Sequence, residues 1–271
     1  MIRRLLVTGA TGYLGRRVMA RAAVAGFEAV GASLAASPVR LDIRDAADVR
    51  RVVAAVRPDA IVHTAAGRDR HDWPATADGA AHVALAAAGI RLVHVSSDAV
   101  FSGTLGEYDE DALPDPVYAY GAAKAAAETA VRAIAPGAAI VRTSLIMGDG
   151  HGGHERFTHD LIAGRASGAL FTDEIRKPVH VDDLADALLE LAAGDYAGVL
   201  NVAGADAISR YDLGVLVARR DGLDPAAIPA ASLTGLGLSR PVDLRLTLTR
   251  ARQVLSVRLR GATEFVRPAA G

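Results

Sequence analysis

The sequence predicts an α/β protein, a doubly wound parallel sheet followed by a smaller C-terminal lobe. Three observations carry this. Strand and helix patterns alternate through the first half of the chain. The strand runs are continuously apolar instead of alternating, as in strands covered by helices on both faces. The first run also breaks into a glycine turn that opens directly into a helical pattern, the first half of a βαβ unit.

The chain has 271 residues, 51% of them hydrophobic and 23% charged, with a formal net charge of −1. That composition supports a large buried core and gives no surface steered toward nucleic acid, so a small molecule is the expected partner. There are no cysteines, which excludes disulfides, thiolate metal sites and cysteine nucleophiles and is compatible with a reducing cytosol. Met1-Ile2-Arg3-Arg4 leads into a strand too short for the apolar core of a signal peptide, and no uncharged apolar run reaches membrane-spanning length. The expectation is a cytoplasmic protein without a membrane partner.

Leu5-Leu6-Val7 forms the first strand and residues 16–25 the first helical pattern. Between them Gly9, Gly12 and Gly15 stand three apart. In a strand–turn–helix, such glycines allow the turn, the approach of a diphosphate to the backbone, and close helix–strand packing, while the helix N-terminus offers unpaired N–H groups to the anion. Gly9, Thr11, Gly12, Tyr13, Leu14 and Gly15 are therefore candidate cofactor-binding residues. Strands follow at 28–33 and 39–43, then a helix over 45–56 with Asp45 as its cap. Pro58-Asp59 breaks that helix before a strand at 60–64. The next elements are a helix over 76–88 closed by Gly89, a strand at Arg91–Val95, a helix over 117–135 closed by Pro136-Gly137, and a strand at 138–141.

From Met147 the rhythm changes. Residues 148–154 read as a loop and the stretch after them as less regular. Helices at 182–193 and 209–219 flank a strand at 198–202, and 225–241 reads as mostly irregular. The expected division is a dinucleotide-binding unit over 1–147 and a mainly substrate-binding lobe over 148–271, with segments around 179–203 returning to the first unit. The apolar faces of the 184–193 and 117–135 helices suit core packing or a homodimer seam.

Tyr120 and Lys124 are four apart on a predicted helix, hence on one face. A neighbouring ammonium favours the phenolate, which suits a tyrosine that exchanges a proton with a carbonyl or alcohol oxygen. Ser97, at the end of a strand, could hydrogen-bond the same oxygen. His151, His154 and His159 place no ligand pair on a regular helical face, so no metal is expected. His71, Asp72 and Trp73 are placed near the cleft rim.

Thr8-Gly9-Ala10-Thr11-Gly12-Tyr13-Leu14-Gly15, Leu41-Asp42-Ile43-Arg44-Asp45, Arg57-Pro58-Asp59-Ala60-Ile61-Val62-His63-Thr64-Ala65-Ala66, Val95-Ser96-Ser97-Asp98-Ala99-Val100-Phe101-Ser102-Gly103, Tyr120-Gly121-Ala122-Ala123-Lys124, Arg142-Thr143-Ser144, Lys177-Pro178-Val179-His180-Val181-Asp182-Asp183-Leu184-Ala185 and Arg240-Pro241-Val242-Asp243 together resemble the extended short-chain dehydrogenase/reductases, in particular their dTDP-4-dehydrorhamnose reductase-like branch. The match covers nearly the whole chain. The resemblance implies a Rossmann-type sheet and an NAD(P)H-dependent reduction of a keto group on a nucleotide-activated deoxysugar or related molecule. It makes Tyr120 the proton donor, Lys124 the holder of the nicotinamide ribose and Ser97 the group that orients the carbonyl. Asp42 and Ile43 bracket the adenine, Ala65 and Ala66 line the nucleotide path, and Thr143 follows the strand nearest the nicotinamide. Asp98 and Arg176 fall to the substrate, with Arg156 and Lys177 as further basic candidates for a diphosphate.

Residues 31–34 offer no acidic side chain for the adenosine ribose, which tilts the cofactor toward NADP, with NAD possible. Ser33 could contact a 2′-phosphate that Arg16 or Arg40 neutralises. Two alternatives stand beside the reductase: a nucleotide-binding regulatory or scaffold subunit of the same fold, and a superfamily epimerase or dehydratase. The dehydratase is disfavoured because Asp98 is followed by Ala99 and no acidic pair flanks the serine.

Overall fold

The computed structural model describes residues 3–35, 38–67, 69, 71–238 and 240–267. Met1 and Ile2, expected to lead into the first strand, lie outside the described residues.

Seven strands form the main sheet: β1 (Arg3–Thr8), β2 (Phe27–Ser33), β3 (Val39–Arg40), β4 (Ala60–His63), β5 (Arg91–Val95), β6 (Ala139–Arg142) and β7 (Gly198–Asn201). All neighbours pair in parallel, in the spatial order β7-β6-β5-β4-β1-β2-β3. The order reverses between β1 and β4, so a crevice opens outside their carboxyl ends, where ligands bind in such sheets.

Seven longer helices are α1 (Tyr13–Arg21), α2 (Ala46–Val56), α3 (Gly79–Ala86), α4 (Ala119–Ile134), α5 (Gly153–Ile162), α6 (Val181–Ala193) and α7 (Arg210–Arg220). The apolar strand runs supply both faces of the sheet, because successive side chains point to opposite sides. Leu5, Val7, Val62 and Val93 pack under α1 and α6, whereas Leu6, Ile61, Leu92 and Ile140 pack under α2, α3 and α4. Nine residues of α6 are buried; eight of them join the core beneath it and the ninth, Asp183, pairs with Arg260, so its apolar face is covered within the chain. Outside that core, α6 is held to α1 by paired contacts of Arg17 with Asp182 and Arg21 with Asp186.

The structure corrects two local expectations. The stretch after residues 148–154 is the regular helix α5, whose N-terminus is organised by the buried carboxylate of Glu155, which accepts from the amides of Gly148, Gly150 and Gly152. The expected helix over 76–88 begins earlier, with a π-turn at Pro74–Asp78 running into α3. Beyond the sheet, α5 and α7 pack around Leu161, Leu170, Ala218 and Ile228.

Asp45 caps α2 through its carboxylate, which accepts from the amides of Ala47 and Asp48. Asp45→Ala removes that acceptor and should cost about 1 kcal/mol, lowering the calorimetric Tm by about 2–4 °C. An unchanged Tm would show that the cap is dispensable.

Candidate active site

At the end of β1 the chain turns through Gly9, whose φ of +73° lies in the left-handed region and is comfortable only for glycine. The Gly12 amide donates to the Gly9 carbonyl at 2.9 Å, and α1 starts at Tyr13 with Gly12 as a cap that lends no side chain. A Cβ on Gly15 would stand 2.2 Å from the Gly9 oxygen, and one on Gly9 would stand 2.8 Å from the backbone of Ala65. The turn, the first turn of α1 and the segment after β4 are thus in backbone contact, and Thr11 and Gly12 remain exposed. Leu14 is buried in the core below.

Around this turn the adenosine-side candidates are accounted for. Thr11 Oγ1 donates to Ser33 Oγ at 3.1 Å, and Ser33 Oγ donates to the Ala35 carbonyl. Arg16 and Arg40 are exposed. The Asp42 carboxylate is gripped by the Arg44 guanidinium at 2.7 and 2.9 Å, which holds its pKa below the usual carboxylate value. Ile43 is buried against Gly79, and its carbonyl lies 2.9 Å from His82 Nδ1. Ala65 and Ala66 are half-buried after β4. Tyr13 reaches away from the turn: its hydroxyl donates to Asp149 at 2.6 Å, and burial pushes its pKa up.

The reacting-end candidates come from β5, α4 and β6. Ser97 follows β5; its Oγ accepts from the Ala99 amide at 3.2 Å and donates to Asp98 Oδ1 at 3.3 Å. Asp98 is buried, and Ser144 donates to its other oxygen at 2.7 Å. Burial raises the Asp98 pKa, with the Arg176 guanidinium opposing. Both Asp98 oxygens are therefore engaged within the protein. Thr143 is buried after β6, and its Oγ1 finds no partner among the described residues.

Tyr120 sits in the first turn of α4 and is half-buried. One turn further, Lys124 is 4% exposed and donates from Nζ to the Val95 carbonyl at 2.9 Å. Burial lowers its pKa to about 8, with Glu128 pulling the other way. The ammonium is thus fixed under the end of β5, two residues before Ser97.

Arg176 is buried, its guanidinium held by Glu174 and the carbonyls of Ile175, Pro241 and Val242. Lys177 donates to the Leu246 carbonyl. Arg240 shares Glu174 with Arg176 but is exposed, and lies 5.5 Å from the Phe171 ring centroid. Phe157, Phe171, Glu174, Arg210 and Arg240 line a cavity of about 210 Å³; Arg176 and Lys177 are not part of its wall. A larger cavity of about 540 Å³ opens at the opposite edge of the sheet, by Arg3, Asp59 and Arg91. It contains none of the candidate site residues and faces the amino ends of the strands, whereas those candidates lie toward the carboxyl ends. His159 pairs with Asp221 at 2.7 Å, and Trp73 is exposed.

A polar layer beneath the site was not singled out from the sequence. Thr8, His63 and His94 are lateral neighbours on β1, β4 and β5. The two imidazoles are stacked 5.2 Å apart, and Thr8 Oγ1 lies 2.6 Å from His63 Nδ1. Glu128, Ser96 and Arg142 form a second buried group. The available signal was the polar stripe Tyr120, Lys124, Glu128 at four-residue spacing on an otherwise alanine-rich helix.

The sheet order, the glycine turn after β1, and Tyr120 and Lys124 on the helix packed at the end of β5 match the pattern of the short-chain dehydrogenase/reductases. The chain belongs to the RmlD substrate binding domain family, whose model matches residues 3–267. It is 34% identical over 248 residues to the dTDP-4-dehydrorhamnose reductase of Mycobacterium tuberculosis, covering 84% of this chain and 79% of that protein. It is 28% identical over 275 residues to methionine adenosyltransferase 2 subunit beta of Bos taurus, covering 92% and 81%. Among solved structures, a dTDP-4-dehydrorhamnose reductase from Bacillus anthracis in complex with NADP superposes with a TM-score of 0.85 at 25% identity, covering 98% of each chain.

Burial lowers the pKa of His63 to about 3 and that of His94 well below its ordinary value, so both imidazoles are neutral when folded. Unfolded, each protonates near 6.5. The unfolded chain then binds more protons below that pH, so stability is full above about 6.5 and falls as pH drops toward about 3. The expected slope is about 1.4 kcal/mol per pH unit for each histidine. Urea unfolding at pH 7.5, 6 and 5 should show this fall, with a smaller slope in His94→Leu; equal slopes in the two proteins would refute it.

Proposed function

We propose that this chain is an NADP(H)-dependent reductase that converts a keto group of a nucleotide-activated deoxysugar to the alcohol. The observation that carries this reading is Lys124, buried beneath the strand end that bears Ser97 and on the helix that bears Tyr120. The residues present fit the dinucleotide: Gly12 at the head of α1 is exposed and puts no side chain over the turn, and Thr143 keeps a buried hydroxyl without a partner among the described residues. The bound cofactor supplies hydride. Tyr120 donates the proton to the carbonyl oxygen, Lys124 favours the phenolate that remains and holds the ribose, and Ser97 orients the carbonyl. The Ser97 hydroxyl has one proton, so to orient the carbonyl it turns that proton from Asp98 Oδ1, 3.3 Å away, to the carbonyl oxygen.

The cofactor choice rests on the end of β2. Ser33 and the exposed Arg16 and Arg40 suit a 2′-phosphate, and no carboxylate stands at 31–34. Thr11, Gly12, the backbone of Tyr13, Asp42, Ile43, Ala65 and Ala66 complete the nucleotide path. We assign the nucleotide end of the substrate to the cavity between Phe157, Phe171 and Arg240, because Arg176 is turned inward. On this reading residues 148–178 and 204–247 supply the substrate lobe, and the protein is a cytoplasmic homodimer. Among the described residues no helix is long and apolar enough to cross a membrane.

A second reading has support in the similarity to methionine adenosyltransferase 2 subunit beta: a nucleotide-binding subunit without turnover. Tyr120→Phe separates the two. We expect kcat on a dTDP-4-keto-deoxysugar to fall about 10²–10⁴-fold while NADPH still binds, more tightly than NADH. Full turnover in the variant would rule out the mechanism, and nucleotide binding without any turnover in the unaltered protein would favour the subunit reading. Arg240→Ala should raise KM for the sugar nucleotide about tenfold, as loss of a charged hydrogen bond does, and leave NADPH affinity within threefold; an unchanged KM would move the substrate elsewhere.

A further inference from the structure

Glu128 lies one turn beyond Lys124 on α4 and is 1% exposed. Ser96 Oγ donates to its Oε1 at 2.6 Å. Arg142, on β6, donates from Nε to both carboxylate oxygens at 3.1 and 3.2 Å and from Nη2 to Oε2 at 2.8 Å. Arg142 is itself 1% exposed; its Nη1 donates to the carbonyls of Glu110 and Ala112, and its guanidinium lies 4.8 Å from the Phe101 ring centroid. The two anchors are placed with respect to the site. Ser96 immediately precedes Ser97, and Arg142 immediately precedes Thr143 and Ser144.

A buried ion pair adds little net stability over a well-packed apolar pair, because desolvation offsets the attraction. Its geometric effect is larger. We propose that Glu128 is a positioning residue that locks α4 in register against the ends of β5 and β6, so that Tyr120 and Lys124 stand opposite Ser97 and Thr143. The proposal rests on the reading of Ser97, Tyr120 and Lys124 as the catalytic set. Glu128 also acts on Lys124 through its charge. Among the described residues the titratable groups near that ammonium are Tyr120, one turn back on α4, Glu128, one turn on, His63 on β4 and His94 on β5. Since both histidines are held neutral, Glu128 is the anion that opposes the effect of burial.

The chain carries two lysines, Lys124 and Lys177, among its 30 basic side chains. An NMR titration of ¹³Cε-labelled lysine therefore gives two signals, which Lys177→Arg assigns. In Glu128→Gln the Lys124 midpoint should move down by about one pH unit, and kcat should fall about 10- to 100-fold, as for a misplaced catalytic group. NADPH affinity should stay within threefold. Because the glutamine leaves Arg142 unpaired, the double variant Glu128→Leu/Arg142→Leu serves as a second test: its thermal stability should stay near that of the unaltered protein while the midpoint and kcat fall in the same way. An unchanged Lys124 midpoint, or an unchanged kcat, in a folded variant would overturn the proposal. Tyr120→Phe is measured alongside. Full turnover in that variant would sink the catalytic assignment, whereas the lysine midpoint still decides whether Glu128 governs Lys124.

Discussion

Backbone-to-backbone contact at two glycines is the constraint on which the rest of this structure depends. The carbonyl of Gly9 occupies the space where a Cβ on Gly15 would stand, and the carbonyl of Ala99 lies 2.1 Å from a Cβ built on Gly121. The first contact seats α1 on the end of β1 with its unpaired amides facing the crevice. The second seats α4 against the turn that follows Ser97. Side chains between these elements would hold them about a carbon–carbon contact further apart, beyond hydrogen-bond reach for groups such as Lys124 Nζ and the Val95 carbonyl. The same absence of side chains that makes the turn a cradle for phosphate also makes the lysine's reach possible.

Below that contact layer the sheet interior is polar where the strands end. Thr8, His63 and His94 cross three strands in one lateral row, and Ser96, Arg142 and Glu128 form the next layer toward the site. Interior apolar packing fixes distances to within the tolerance of side-chain rotamers, whereas a carboxylate held by four short donations fixes direction as well. The lower rows of the sheet, Leu6, Ile61, Leu92 and Ile140, supply cohesion, and the upper rows supply register.

How much of this was legible in the sequence follows from how local each cause is. Apolar strand runs, the Asp45 cap and the glycine turn are set by neighbouring residues, and the sheet, α2 and the crevice stand where those signals put them. Helix α5 escaped because its start is a run of glycine and histidine with no cap residue of its own; the cap is Glu155, kept buried by Arg220 from α7. The inward turn of Arg176 is equally non-local, since its partners include carbonyls more than sixty residues away. Glu128 was visible as the third member of a four-residue stripe, but its partners on β5 and β6 were not.

The proteins to which this chain is similar include ones named as reductases and ones named as an enzyme's beta subunit, and fold alone does not separate them. The placement of Lys124 does bear on the choice. Either reading needs a turn for the diphosphate. A protein that merely holds a nucleotide gains nothing from an ammonium taken out of water and drawn down to about 8, because an exposed lysine holds a ribose or phosphate with less desolvation. A reductase does gain, since a desolvated charge beside a tyrosine acts through a low dielectric and stabilises the phenolate left when the proton departs. The ammonium lies under the end of β5, one helical turn from Tyr120 and two residues short of Ser97 along the chain, where the proposed mechanism would use it.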